Sequence, residues 1–178
     1  IMAAGMLFEY LRETQKTELI HIQKINYYET SEFMPMDQSL IRNLELFYTS
    51  QGKKEGSLIN ILDQTVNPMG GRMVRNWLTH PLLNRSEIEK RLNNVEKIAK
   101  DSTLMRELRD SLSKIYDIER LLSRLSLGSG NARDLIAMKE SLTVIPNLKN
   151  LIKEGFAEYF GGLDELSELV EKIEKSIV

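Results

Sequence analysis

The residues whose types could do chemistry are few. The chain has two histidines, His21 and His80, and no cysteine. Neither histidine has a second histidine or an acid at a metal-ligand spacing such as H-E-x-x-H, so both read as structural. Gly128-Ser129-Gly130 precedes a helical pattern, a position where backbone N–H groups can cradle phosphate. It lacks the Lys-Ser/Thr of a P-loop and follows no strand, so it reads as a loop. Asp117 and Glu119 lie two apart on a helical pattern, which sends them to different sides and predicts no paired-carboxylate acid–base site. Asp117, Arg120 and Arg124 share one helix face, which reads first as a salt-bridged helix–helix contact and second as an anion or DNA contact. No nucleophile–base pair stands out. The expectation is therefore no catalytic, cofactor or metal residue in these 178 residues.

Bulk properties agree with a soluble globular chain. Hydrophobic residues make up 42% and charged residues 28%, which excludes a disordered composition. The formal net charge of -2 weighs against autonomous binding to a nucleic-acid backbone. With no cysteine there are no disulfides or thiolate metal sites, and an intracellular compartment is favoured. No apolar run reaches the roughly 20 residues of a membrane span.

The elements that must position these residues are mostly helices. Residues 3–16 form an amphipathic helix with Leu7, Tyr10 and Leu11 on one side. Residues 19–29 alternate like a strand, and with Phe33-Met34-Pro35-Met36 they suggest a small hairpin whose second arm is held to an edge by Pro35. Asp37 caps a helix carrying Leu40, Ile41 and Leu44. Gly56 to Leu83 reads as a helix, a corner and a second helix. Ser57 caps the first, Asn67 and Pro68 open the second, and Pro81 stops it near Thr79. Met69, Met73 and Trp77 recur at i, i+4, i+8 and predict a buried stripe, with Arg72 and Arg75 on the other side.

Downstream, Ser86 to Glu89 is a capping box for a helix with Ile88, Leu92, Val95 and Ala99 inward. Asp101 or Ser102 starts the next, with Leu104, Leu108, Leu112 and Ile115 inward. Ile118, Leu121, Leu122 and Leu125 line a third. Residues 131–145 form a fourth, ended by Pro146, before a short piece at 148–152. Leu163 to Val178 form the last, with Leu166, Leu169, Val170, Ile173 and Ile177 in line. The fold class is mainly all-α, with that small hairpin near the N-terminal end. Both ends fall inside helical patterns, so the chain reads as a piece of a larger protein.

Several blocks then follow in order: Asn43-Leu44-Glu45-Leu46; Gly56-Ser57-Leu58 with Leu62-Asp63-Gln64-Thr65; Pro68-Met69-Gly70 with Arg72; Trp77-Leu78 with Pro81-Leu82; Asp117-Ile118-Glu119-Arg120-Leu121 with Arg124; and Arg133-Asp134-Leu135 with Ser141-Leu142 and Pro146. This succession resembles the core (lever) domain of the MutS DNA mismatch repair ATPases. Residues 1–19 resemble the last helix of that family's connector domain, and residues 20–178 the first part of the core, ending where the clamp insertion would begin. The chain departs from the family pattern at Leu40, at Asn67 and at Gly71, none of which touches nameable chemistry. Phe156-Ala157-Glu158 matches the family's mismatch-reading Phe-x-Glu string by chance, in the wrong domain.

The resemblance implies a parent protein that is a homodimer, binds mismatched double-stranded DNA, uses ATP and Mg, recruits a MutL-type repair factor and is cytoplasmic, nucleoid-associated if bacterial. It implies no membrane partner. This piece would couple the ATP site to the clamp. Trp77, Pro68, Leu121 and Leu122 would set its shape. Arg72, Asp117, Arg120, Arg124, Arg133 and Asp134 would make polar contacts between helices. The alternatives are a helical partner-binding scaffold, or a relative acting on branched DNA without mismatch recognition.

Overall fold

This computed structural model describes residues 2–15, 32–153, 156 and 163–177, and among them ten helices are joined by loops. The chain is mainly all-α, and no sheet is present among the described residues. His21 and the first arm of the expected hairpin lie outside the described residues. Of the second arm, Phe33 forms a single antiparallel bridge with Leu82. Met34 N–H donates to Pro81 O at 2.8 Å, and Leu83 N–H to Glu32 O at 3.2 Å. This apolar run therefore docks on the segment after Pro81.

The helices begin where capping chemistry starts them. α1 is Met2–Gln15. α2, Gln38–Asn43, is capped by Asp37, whose carboxylate accepts from Leu40 N–H at 2.6 Å. α3, Leu58–Leu62, follows Ser57, but that hydroxyl does not cap it: it donates to Lys54 O at 2.6 Å and is fully buried. α4 is Pro68–Thr79. Its cap, Asn67, accepts from Gly70 N–H at 2.8 Å and donates its amide to Leu112 O at 3.2 Å. One side chain thus starts a helix and ties it to another 45 residues away.

α5, Arg85–Lys100, starts earlier than the Ser86 capping box predicts. The Asn84 side chain accepts from both Ser86 and Glu87 N–H groups and serves as the cap. α6 is Ser102–Ser113, capped by Asp101, and α7 is Ile118–Ser126, capped by Asp117. α8, Ala132–Thr143, opens with a capping box of Asn131 and Asp134. Pro146 does not end α8; it sits in the first turn of α9, Ile145–Ile152, where its missing N–H is harmless. α10, Ser167–Ser176, starts later than expected, after Leu166 turns the chain with a left-handed φ of 50°.

Two apolar clusters hold these helices. Leu108, Ile115, Leu148, Ile152 and Phe156 form one, between α6 and α9. Leu121, Met138 and Leu142 form the other, between α7 and α8, with Val170 of α10 against it. Ile145 touches both. Polar pins cross the same seams: Tyr116 N–H donates to the buried Ser141 hydroxyl at 3.0 Å, and Asn147 donates to Ser111 at 3.0 Å.

Several expected inward stripes are not buried. Met69 packs against the first cluster, but Met73 and Trp77 are 53% and 43% exposed. Ile88, Leu92 and Val95 of α5 are also exposed, because α5 turns Ile98 toward α6 instead. Leu122 is exposed beside the buried Leu121, and Leu166 and Leu169 are exposed while Val170 and Ile173 face inward. In each case the described neighbouring helices leave part of the apolar arc uncovered. α1 likewise keeps Leu7 and Tyr10 exposed among the described residues.

Candidate functional site

Of the polar side chains singled out for contacts between helices, Arg72, Asp117, Arg120, Arg124 and Asp134 fall into two clasps. In the first, Arg72 projects from the second turn of α4 toward the start of α7. Its guanidinium donates to both carboxylate oxygens of Asp117, at 2.7 and 2.6 Å. It also donates twice to Glu119 Oε2, at 2.9 and 2.5 Å. The helical wheel sends Asp117 and Glu119 to different sides, yet both reach one cation. Asp117 is the cap, with non-helical backbone, so its side chain does not follow the wheel. Glu119 is therefore a site residue that periodicity misses; the Asp-x-Glu string at a helix start is the signal that could have found it.

Asp117 carries three loads. Besides holding Arg72, it accepts from Arg120 N–H at 3.2 Å and lies 3.4 Å from the Arg120 side chain. The Arg72 hydrogen bonds, opposed by partial burial and helped by the Arg120 N–H and both positive charges, hold its carboxyl at about 2, below the ordinary 3.8. The same bonds push the Arg72 guanidinium upward. A carboxylate with a lowered folded value stabilises the fold above its unfolded value, and that stability is lost as pH falls through the folded value. The contribution of Asp117 should therefore be complete above about pH 4 and vanish near pH 2. Urea unfolding at pH 4, 3 and 2 should show a shallower pH slope for Asp117→Asn than for the parent chain. Equal slopes would place the acid sensitivity elsewhere.

In the second clasp, Arg124 near the end of α7 donates to Asp134 at 2.5 Å. Asp134 is buried and closes the capping box by accepting from Asn131 N–H at 3.1 Å. Gly128-Ser129-Gly130 brings the two together. Gly128 takes a left-handed φ of 70°, and the Ser129 and Gly130 N–H groups both turn back onto Arg124 O, at 3.0 and 2.9 Å. Those donors are spent on ending α7, so they form no phosphate cradle.

The remaining predicted residues stand apart. Arg133 is exposed on α8 and joins neither clasp. Trp77 carries the Arg91 guanidinium over its ring, 4.1 Å from the centroid. His80 ends α4: its Nδ1 lies 3.1 Å from Asn76 O and 3.0 Å from the Thr79 hydroxyl, and Phe33 meets its ring edge-on. Asp63 accepts from the Thr65 hydroxyl at 2.6 Å, which lowers its carboxyl value further than the nearby Lys54 and Arg75 charges do. Among the described residues, no group of three or more His, Asp or Glu is placed to hold a metal ion. No helix among them is long and apolar enough to cross a membrane. The arrangement offers ion-paired junctions between helices, α4 to α7 and α7 to α8.

Residues 39–178 match the family described as MutS domain III. The chain is 40% identical over its whole length to the DNA mismatch repair protein MutS of Halothermothrix orenii, covering 20% of that protein. It is 44% identical, again over its whole length, to the protein of that name from Ruminiclostridium cellulolyticum, covering 21% of it. It is 41% identical over 99% of its length to that of Caldanaerobacter subterraneus, covering 21%. The chain spans about a fifth of the length of the curated relatives it matches.

Proposed function

This chain belongs to the MutS family, and from that premise we propose that it is the tail of the connector domain and the first part of the core domain of a DNA mismatch repair ATPase, with the connector ending near residue 19. Its role is transmission. The parent protein is a homodimer that binds mismatched double-stranded DNA, uses ATP and Mg held outside these residues, and recruits a MutL-type factor. The helices described above carry the state of the ATP site toward the DNA clamp.

One observation carries this reading. The Arg72 clasp joins α4 to the start of α7, and the Arg124 clasp joins the end of α7 to the start of α8. Coupling between distant sites needs packed elements with discrete arrangements, and charged clasps at both ends of one helix make α7 move as a unit with its neighbours. A transmission role requires no reacting group in this segment.

The test is made in the full-length parent protein with Arg72→Met. Basal ATP hydrolysis and DNA affinity should each stay near the parent values, while the effect of DNA on ATP affinity falls by about fivefold or more, within the usual range of coupling energies. A folded variant whose coupling is unchanged would overturn the reading. In a second arm, the 178-residue chain alone should neither hydrolyse ATP nor discriminate a mismatch. A mismatch-specific shift by this chain would replace the transmission role with direct recognition.

A further inference from the structure

A cavity of about 880 Å³ opens between α2 and the loop that follows it, lined by no residue of either clasp. Gln38, Arg42, Asn43, Glu45, Tyr48 and Ser50 set its chemistry. Arg42 is exposed, and its guanidinium has no partner among the described residues. Tyr48 is 61% exposed. The cavity thus offers an uncommitted cation, an aromatic face and two amides.

Its wall is held in an unfavourable conformation. Glu45 has a φ of 49°, which a side chain with a Cβ rarely adopts. Three hydrogen bonds keep it there. Its N–H donates to Arg42 O at 3.0 Å, its carbonyl accepts from Leu58 N–H at 3.1 Å, and its carboxylate accepts from Ser50 N–H at 2.5 Å. Gly52, with a φ of 76°, turns the far end of the loop. Backbone strain over-determined in this way concentrates at ligand clamps. Here it fixes the chain between Arg42 and Tyr48.

We infer that this cavity binds a ribonucleoside phosphate. Arg42 takes the phosphate, Tyr48 stacks on the base, and the Glu45 carboxylate accepts from a sugar hydroxyl through the oxygen that Ser50 leaves free. Asn43 and Gln38, each both donor and acceptor, face the base edge. A carboxylate and a guanidinium with no partner among the described residues, lining one cavity, suit a ligand with hydroxyl donors as well as an anion. A sugar phosphate has both, whereas an acidic side chain has only the anion. The volume lies within the roughly 300–1,000 Å³ of small-ligand sites. The ligand arrives either as a free nucleotide or as an unpaired nucleotide of an RNA strand.

Calorimetric titration of the 178-residue chain with AMP, adenosine, inorganic phosphate and hexariboadenylate tests this. AMP should bind about tenfold or more tightly than adenosine or phosphate. Arg42→Ala should bring AMP down to the adenosine level, and Arg42→Lys should recover part of the difference. Tyr48→Ala should weaken AMP and adenosine alike, by roughly five- to 150-fold. Both side chains are exposed, so unchanged helical circular dichroism checks each fold. Hexariboadenylate binding tenfold tighter than AMP, with the same dependence on both residues, identifies a strand as the source; equal or weaker binding identifies the free nucleotide. No binding by any probe, or AMP binding indifferent to both alanine variants, overturns the inference.

Discussion

Leu121→Ala should destabilise the chain by about 2–5 kcal/mol, the range for truncating a buried leucine where neighbours cannot close the gap. Leu121 is 4% exposed and packs with Met138 and Leu142 where α7 lies on α8. Its loss leaves a void one turn from Asp117, so the Arg72 junction should loosen with it. Urea unfolding monitored by circular dichroism measures the effect. Leu122→Ala is the internal comparison. That side chain is 56% exposed and should change stability by no more than about 0.5 kcal/mol. Equal losses at the two positions would mean that α7 is packed the other way round.

Gly130→Ala should cost about 1–3 kcal/mol through overpacking. A Cβ at this position would lie 2.6 Å from Leu125 Cδ2 and 3.0 Å from Leu125 Cα. The methyl can rotate aside, but the Cα cannot. The loop must therefore open, which moves the start of α8 and Asp134 away from Arg124. Gly128→Ala probes a different cause in the same loop. Its φ of 70° is strained for alanine, but nothing lies within 4 Å of the added carbon. It should cost about 1 kcal/mol without disturbing the clasp. With space restored by Leu125→Ala, the Gly130→Ala substitution should cost less than it does in the parent chain, so the double loss should fall short of the sum of the two single losses. Additive losses would exclude the clash.

What the sequence made legible was local. Asn67 and Pro68 start α4, and the helix stops before Pro81, because caps and prolines act within a few residues. The helical class follows from the periodicity of each segment, and membership of the MutS family from ordered blocks spread over the chain. Burial was less legible. Met73 and Trp77 repeat at helical spacing as a core stripe would, but exposure depends on which helices arrive, and that information lies far along the chain. The convergence of Asp117 and Glu119 on Arg72 was hidden for a related reason. A helical wheel assumes helical backbone at each position, and Asp117 precedes it. Similarly, Pro146 reads as a terminator, although the same missing N–H that ends one helix is tolerated at the start of the next. The strained Glu45 left no trace, because a left-handed glutamate looks like any other in sequence.

The fork at Arg72 has a mechanical consequence. A lysine there would be a point charge, able to keep α4 near α7 while letting each roll about its own axis. The guanidinium instead meets Asp117 through two parallel bonds and Glu119 from the side, so it resists rotation as well as separation. The junction therefore behaves as a keyed joint and not as a hinge pin: torque applied along α4 turns α7 with it. Arg72→Lys should accordingly leave the distance between the helices nearly unchanged and widen the spread of their relative twist.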